Sequence, residues 1–320
     1  MRSTLSITAV LAIACSAIAC QVPVFRYAFE QWNPTKYRVL VLARDQHEQY
    51  HSMINELGLG NELKTNANVQ VEVMSPETEP IARQLWQKYS DGAPIAVALF
   101  PHQAGGIGGT VAHVAAATAE GLQSIVDSKV RREIARRLGE GESAVWVLLE
   151  CGEKEKDEVA RATLQRQLAE DSRWLELPSA EEMEIKPEVL GQVKVKLRVG
   201  FSLIALSANQ PDEQFLIDAL LSSEEDLRDF HEPIAFPIFG RGLVLYALVG
   251  QGIAPDTIRG ASRFICGPCS CQVKEQNPGF DLLMLHDWDK TVGDLKISTS
   301  QPSNNLAPKF VPIPAGKAKR

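Results

Sequence analysis

Three thiols within six residues, Cys266-Gly267-Pro268-Cys269-Ser270-Cys271, dominate the chemistry this sequence could perform. A Cys-x-x-Cys loop can close a disulfide between its ends, and a helix terminus beside it can lower the pKa of one thiol until it becomes a nucleophile. The same sulfurs can hold a metal when other ligands join them, and Cys151, His286, Asp287 and Asp289 are of the right types. The cluster therefore has three readings: a structural disulfide, a redox pair and a metal site. An oxidising compartment favours the first.

A second pattern, His47-Glu48-Gln49-Tyr50-His51, has the spacing His-Glu-x-x-His. Two histidines one helical turn apart can share a zinc ion while the glutamate activates water. A helix through these residues turns Tyr50, Met53, Ile54 and Leu57 inward, which leaves both histidines at the rim of the apolar face or beyond it. Glu72, Glu77 and Glu79 follow without an evident ligand motif. A zinc hydrolase built on His47, Glu48 and His51 is the lesser expectation beside histidines on a solvated helix, and nothing in the sequence requires a cofactor. The glycines between Gly105 and Gly109 lack the spacing of a dinucleotide fingerprint, and no Gly-x-Ser-x-Gly nucleophile is present.

The elements that must position these groups alternate. Residues 38–43, 94–100 and 144–150 are apolar runs of strand length, and residues 69–73 alternate valine with polar side chains. Helical periods cover residues 45–57, 80–89, 129–138 and 153–175, and the glycine cluster is followed by an alanine-rich stretch that reads as helix. Strands separated by helices predict an α/β fold with mostly parallel sheets. Residues 20–176 form a first α/β half and residues 177–200, acidic then mixed, a connector. Residues 201–297 form a second half: a strand at 201–207, a helix at 212–221, two apolar runs around Gly240-Arg241-Gly242 that predict a hairpin, and a helix at 255–264.

The start of the chain reads as an address. Arg2 precedes an uncharged, mostly apolar run from Leu5 to Ala19 that closes on Ala17-Ile18-Ala19, the small-x-small pattern of a signal peptidase site. This run is shorter than the about 20 apolar residues of a membrane span. Residues 1–19 are expected to be removed as a signal peptide. Cys20, preceded by small residues that resemble a bacterial lipobox, is the expected lipidation site. That anchors the protein to a membrane, in the periplasm or at the cell surface. Aromatic residues begin soon after Cys20, so residues 22–32 are expected to dock on the folded body rather than serve as a linker. Arg26 and Arg241 are placed to meet Glu30 or the pair Asp287 and Asp289. Residues 298–320 carry four prolines and no acidic residue and are expected to form a disordered basic tail. A net charge of −7 argues against nucleic acid as the main partner.

Two resemblances add to this reading. Cys266-Gly267-Pro268-Cys269 is identical to the active-site tetrapeptide of thioredoxins, and the strand–helix–hairpin–helix order of the second half resembles thioredoxin-like folds. In thioredoxins the motif opens a helix after an early strand, whereas here it follows the last predicted helix, and no cysteine stands after Ala43 or Ser207. The stretches Cys20-Gln21-Val22-Pro23-Val24-Phe25-Arg26-Tyr27-Ala28-Phe29-Glu30-Gln31-Trp32, Phe236-Pro237-Ile238-Phe239-Gly240-Arg241-Gly242 and Cys269-Ser270-Cys271-Gln272-Val273-Lys274 resemble an uncharacterised family of exported bacterial proteins. The last stretch continues through Asn277-Pro278-Gly279 and Asp281-Leu282-Leu283. The resemblance implies an exported thioredoxin-like protein and no particular activity. The expectation is a binding or accessory module of the cell envelope, held to the membrane and meeting an envelope partner. The alternative is a thiol-disulfide oxidoreductase using Cys269 and Cys271.

Overall fold

The computed structural model describes residues 21–45, 47–60, 66–102, 107–269 and 279–298. Cys20, Cys271, the expected signal peptide and residues 299–320 lie outside them, as do Gly105 and Gly106. The described chain opens with α1 (Val24–Gln31) and continues through β1 (Tyr37–Leu42), α2 (His47–Glu56), β2 (Val69–Met74), α3 (Pro80–Tyr89), β3 (Ile95–Leu99), β4 (Val111–Ala116) and α4 (Ala119–Val126). β3, and β1 apart from Arg38, are apolar runs whose side chains are buried, as strands covered on both faces require. Pro80 opens α3, where its missing N–H would have had no partner, and Thr118 caps α4 by accepting from the Gly121 amide. The four strands form one sheet in the order β2-β1-β3-β4.

After α5 (Lys129–Gly139) come β5 (Ala144–Glu150), α6 (Lys154–Trp174), α7 (Pro187–Gln192), β6 (Phe201–Ser207), α8 (Gln214–Leu221), β7 (Ile234–Phe239), β8 (Leu243–Val244), β9 (Leu248–Val249) and α9 (Pro255–Cys266), followed by β10 (Phe280–Asp281) and α10 (Trp288–Val292). The second sheet runs β10-β8-β7-β5-β6, with β9 also paired to β7. β5, grouped by sequence with the first half, hydrogen-bonds to β6 and β7 here. Residues 177–200 run between α6 and β6.

Both sheets share one plan. The first strand is parallel to the second and antiparallel to the third, and the third is antiparallel to the fourth. The registers coincide as well: Leu42 faces Met74 and Ile95, and Leu149 faces Leu206 and Ile234. Aligned on that register, Pro94-Ile95-Ala96-Val97-Ala98-Leu99-Phe100 and Pro233-Ile234-Ala235-Phe236-Pro237-Ile238-Phe239 agree at four of seven positions. The chain is thus a tandem pair of units of the same connectivity.

Two expectations are corrected. The sheets are mixed rather than mostly parallel, with one parallel pair in each. A strand covered on both faces reads as a continuous apolar run whichever way it points, so strand–helix alternation left direction open. The alanine-rich stretch after the glycine cluster is β4, and α4 begins only at Ala119. Pairing with β3 overrides the helix preference of alanine there.

The largest apolar cluster runs through both units and includes Tyr37, Phe100, Phe215, Phe236 and Phe280. At the junction, His113 Nδ1 on β4 donates to Asp218 on α8 at 2.7 Å, and Arg228 donates to the same carboxylate at 3.1 Å. Burial raises the Asp218 carboxyl, but the hydrogen bonds from His113 and Arg228 outweigh it and hold the group below its usual range. A depressed carboxyl contributes stability that is present above its unfolded pKa and is lost as pH falls through the folded value. Asp218→Asn is therefore expected to lower stability by roughly 1–2 kcal/mol at neutral pH and to flatten the decline below about pH 4. Thermal melts of both proteins across the acid range check this.

Candidate functional site

Among the described residues the cysteine motif lies at the end of a helix. Cys266 is the last residue of α9 and so lies in its carboxyl-terminal turn, where the dipole disfavours a negative charge. Cys266 and Cys269 are both buried. Burial, with the Asp171 charge adding to it, pushes the Cys266 thiol up to about 12 against a hydrogen bond with Ser143 that lowers it. This is the reverse of an activated cysteine. Among the described residues no disulfide joins Cys151, Cys266 and Cys269, and no group of three or more His, Cys, Asp or Glu side chains could hold a metal.

The duplicated plan redirects attention to the residue that follows the first strand of each unit. In the first unit Arg44 follows Ala43, with its guanidinium 5.4 Å from the centre of the Trp86 ring. In the second unit that position, after Glu150, is Cys151, half-buried at the amino end of α6. Sequence reasoning looked after Ser207 instead, because it placed β5 in the first half. A helix amino end with free N–H groups would favour a thiolate. Here Asp157, itself buried in the first turns of α6, lies against the thiol: its carboxylate accepts from the Cys151 and Gly152 amides, which precede the helix, at 2.9 and 3.0 Å and lies 3.4 Å from the thiol. Burial, joined by Asp157, raises the Cys151 thiol, with a backbone hydrogen bond at Glu153 opposing. A carboxylate thus sits against the thiol and opposes its ionisation.

Native-state alkylation measures this contrast. Cys151 is expected to react well ahead of Cys266, whose thiolate is scarcer by about a thousandfold than that of an ordinary thiol, for a pKa about three units higher. Asp157→Asn should speed labelling of Cys151 severalfold and leave Cys266 unchanged, as peptide mapping by mass spectrometry would show.

The helix α2 carries His47, Glu48 and His51 as expected. Both histidines border an open groove of about 480 Å³ that also touches Glu72, Ser75 and Glu79. His47 spends its Nε2 proton on the Ala43 carbonyl at 2.9 Å, and Glu72 is bound by two hydrogen bonds to Arg38. Glu48 is exposed. The groove thus offers polar edges and no assembled metal centre among the described residues.

The region after Cys20 docks on the body. Val22 and Val24 pair antiparallel with residues 267–269: Val24 N–H donates to the Gly267 carbonyl, and Cys269 N–H to the Val22 carbonyl, each at 2.9 Å. α1 then buries Val24, Phe25, Ala28 and Phe29. Arg26 meets Glu30 at 2.6 Å and Arg241 meets Asp289 at 3.0 Å, both within the expected pairings. Glu30 also accepts from the Ile297 and Ser298 amides at 3.0 and 2.7 Å. Val22 and Ile297 meet in one apolar cluster with Met183, Ile185 and Val193. Neither a protein-family model, nor a curated protein, nor a solved structure matches this chain.

Proposed function

We propose that the protein is a binding or accessory module of the bacterial cell envelope, exported, anchored through Cys20, and built on two thioredoxin-like units without thiol-disulfide turnover. The thioredoxin-like reading rests on the order and direction of the strands in each unit. The observation that carries the non-catalytic reading is the inverted helix polarity at Cys266, whose thiol is buried and pushed up to about 12. At the two equivalent positions between the first strand and the next helix, one unit has Arg44 and the other a single cysteine covered by Asp157. The anchored reading is supported by the docking of Val22 and Val24, which would hold the body close to a lipid-bearing Cys20. Among the described residues no helix is long and apolar enough to cross a membrane.

Two measurements test this. The intact mass of the membrane fraction should correspond to loss of residues 1–19 and acylation of Cys20. Reduction of a protein disulfide by dithiothreitol should not be accelerated by the purified protein. Acceleration abolished by Cys269→Ala would establish the oxidoreductase reading in its place.

A further inference from the structure

We propose that residues 309–313 of this chain add to the open edge of β2 as an extra strand, filling the groove beside His47 and His51. The groove is a strand edge. Consecutive residues of β2, Val71 to Met74, border it, and among the described residues no strand pairs with β2 on the side away from β1. Backbone groups along a strand point alternately to either side. The carbonyls of Asn68 and Met74 accept from Tyr37 and Ala43, so the even-numbered residues face β1. The N–H and C=O groups of Val71 and Val73 face the groove.

The proposed occupant has the complementary alternation. In Pro308-Lys309-Phe310-Val311-Pro312-Ile313-Pro314 every proline is at an even position. In an extended segment the N–H groups of Lys309, Val311 and Ile313 all point to one edge. The opposite edge carries prolines at three of its four positions and cannot continue a sheet. Proline in a strand is confined to such an outer edge, where it also blocks further addition. The segment carries no acidic residue and includes Lys309, while Glu72 and Glu79 border the groove.

The reach is adequate. The Ser298 amide is fixed on Glu30, and ten residues separate it from Lys309, enough to span about 33–36 Å when extended. Short steps lead from Glu30 to the start of β2: the Phe29 ring packs on Trp288, Trp288 on His286, and the His286 amide donates to the Asn66 carbonyl. One added strand needs no core of its own, so the polar, proline-rich composition is no obstacle.

Hydrogen exchange of the β2 peptide, residues 69–74, tests the proposal on the chain beginning at Gln21. The full chain should exchange about tenfold more slowly than one ending at Ser298, which corresponds to about 1.4 kcal/mol of local opening energy. Val311→Pro puts a proline on the bonding edge and should abolish the protection. Pro312→Ala alters only the outer edge and should keep it. The proposal is overturned by equal exchange in all four chains, by equal loss in both variants, or by protection that moves to β6. Protection that disappears on dilution together with a dimer in sedimentation would assign the strand to a second copy and overturn addition within one chain.

Discussion

Glu30→Gln is expected to lower the unfolding free energy by about 3–5 kcal/mol, the range for removing one partner of a buried ion pair. Glu30 is fully buried and Arg26 nearly so. The carboxylate accepts from Arg26 and from the amides of Ile297 and Ser298. Glutamine keeps the size of the side chain but lacks the charge, and its amide nitrogen cannot accept either N–H. Arg26 would keep the Val195 carbonyl, at 2.6 Å, and face a neutral amide oxygen in place of a carboxylate. Chemical denaturation gives the loss directly. Exchange at residues 293–298 should rise even where the protein remains folded, which separates loss of the clamp from general destabilisation. An unchanged midpoint would show that the pair contributes nothing net.

Arg131→Met is expected to cost about 2–4 kcal/mol. Arg131 is buried on α5 and donates to the carbonyls of Ser124, Ile125 and Leu283 and to the Ser128 hydroxyl. Its guanidinium also lies 4.5 Å from the centre of the Phe215 ring. Burial lowers its pKa to about 10, so the cation is itself strained by its surroundings, and methionine relieves that part. The orphaned carbonyls of Ile125 and Leu283 dominate, because each loses a partner in a buried place. Denaturation midpoints measure the total, and faster exchange around Leu283 identifies the contact to the segment after β10. Wild-type stability in the variant would mean that charge relief outweighs the lost bonds.

The strands β1, β3 and β5 were legible because each is a continuous apolar run, and α2, α3, α5 and α6 because their periods are clear. Strand direction was not legible, since runs buried on both faces look alike in either direction. β4 was hidden by its alanines: Val111-Ala112-His113-Val114-Ala115-Ala116 favours a helix until β3 is beside it. The position of the cysteine motif after a helix was readable from the period of residues 255–264. The importance of Cys151 was not, because it depends on which sheet β5 joins. Likewise the spacing of Arg26 and Glu30 suggested their pairing, but no local signal named the amides of Ile297 and Ser298 as the other partners.

That last contact closes a loop between residues 267 positions apart. A chain made from its amino end produces α1 long before Ser298. Until then the carboxylate of Glu30 lacks two of its donors and must remain wet. Helix α1 is therefore sealed only once Ser298 has been made, and on a growing chain it stays unfinished until then.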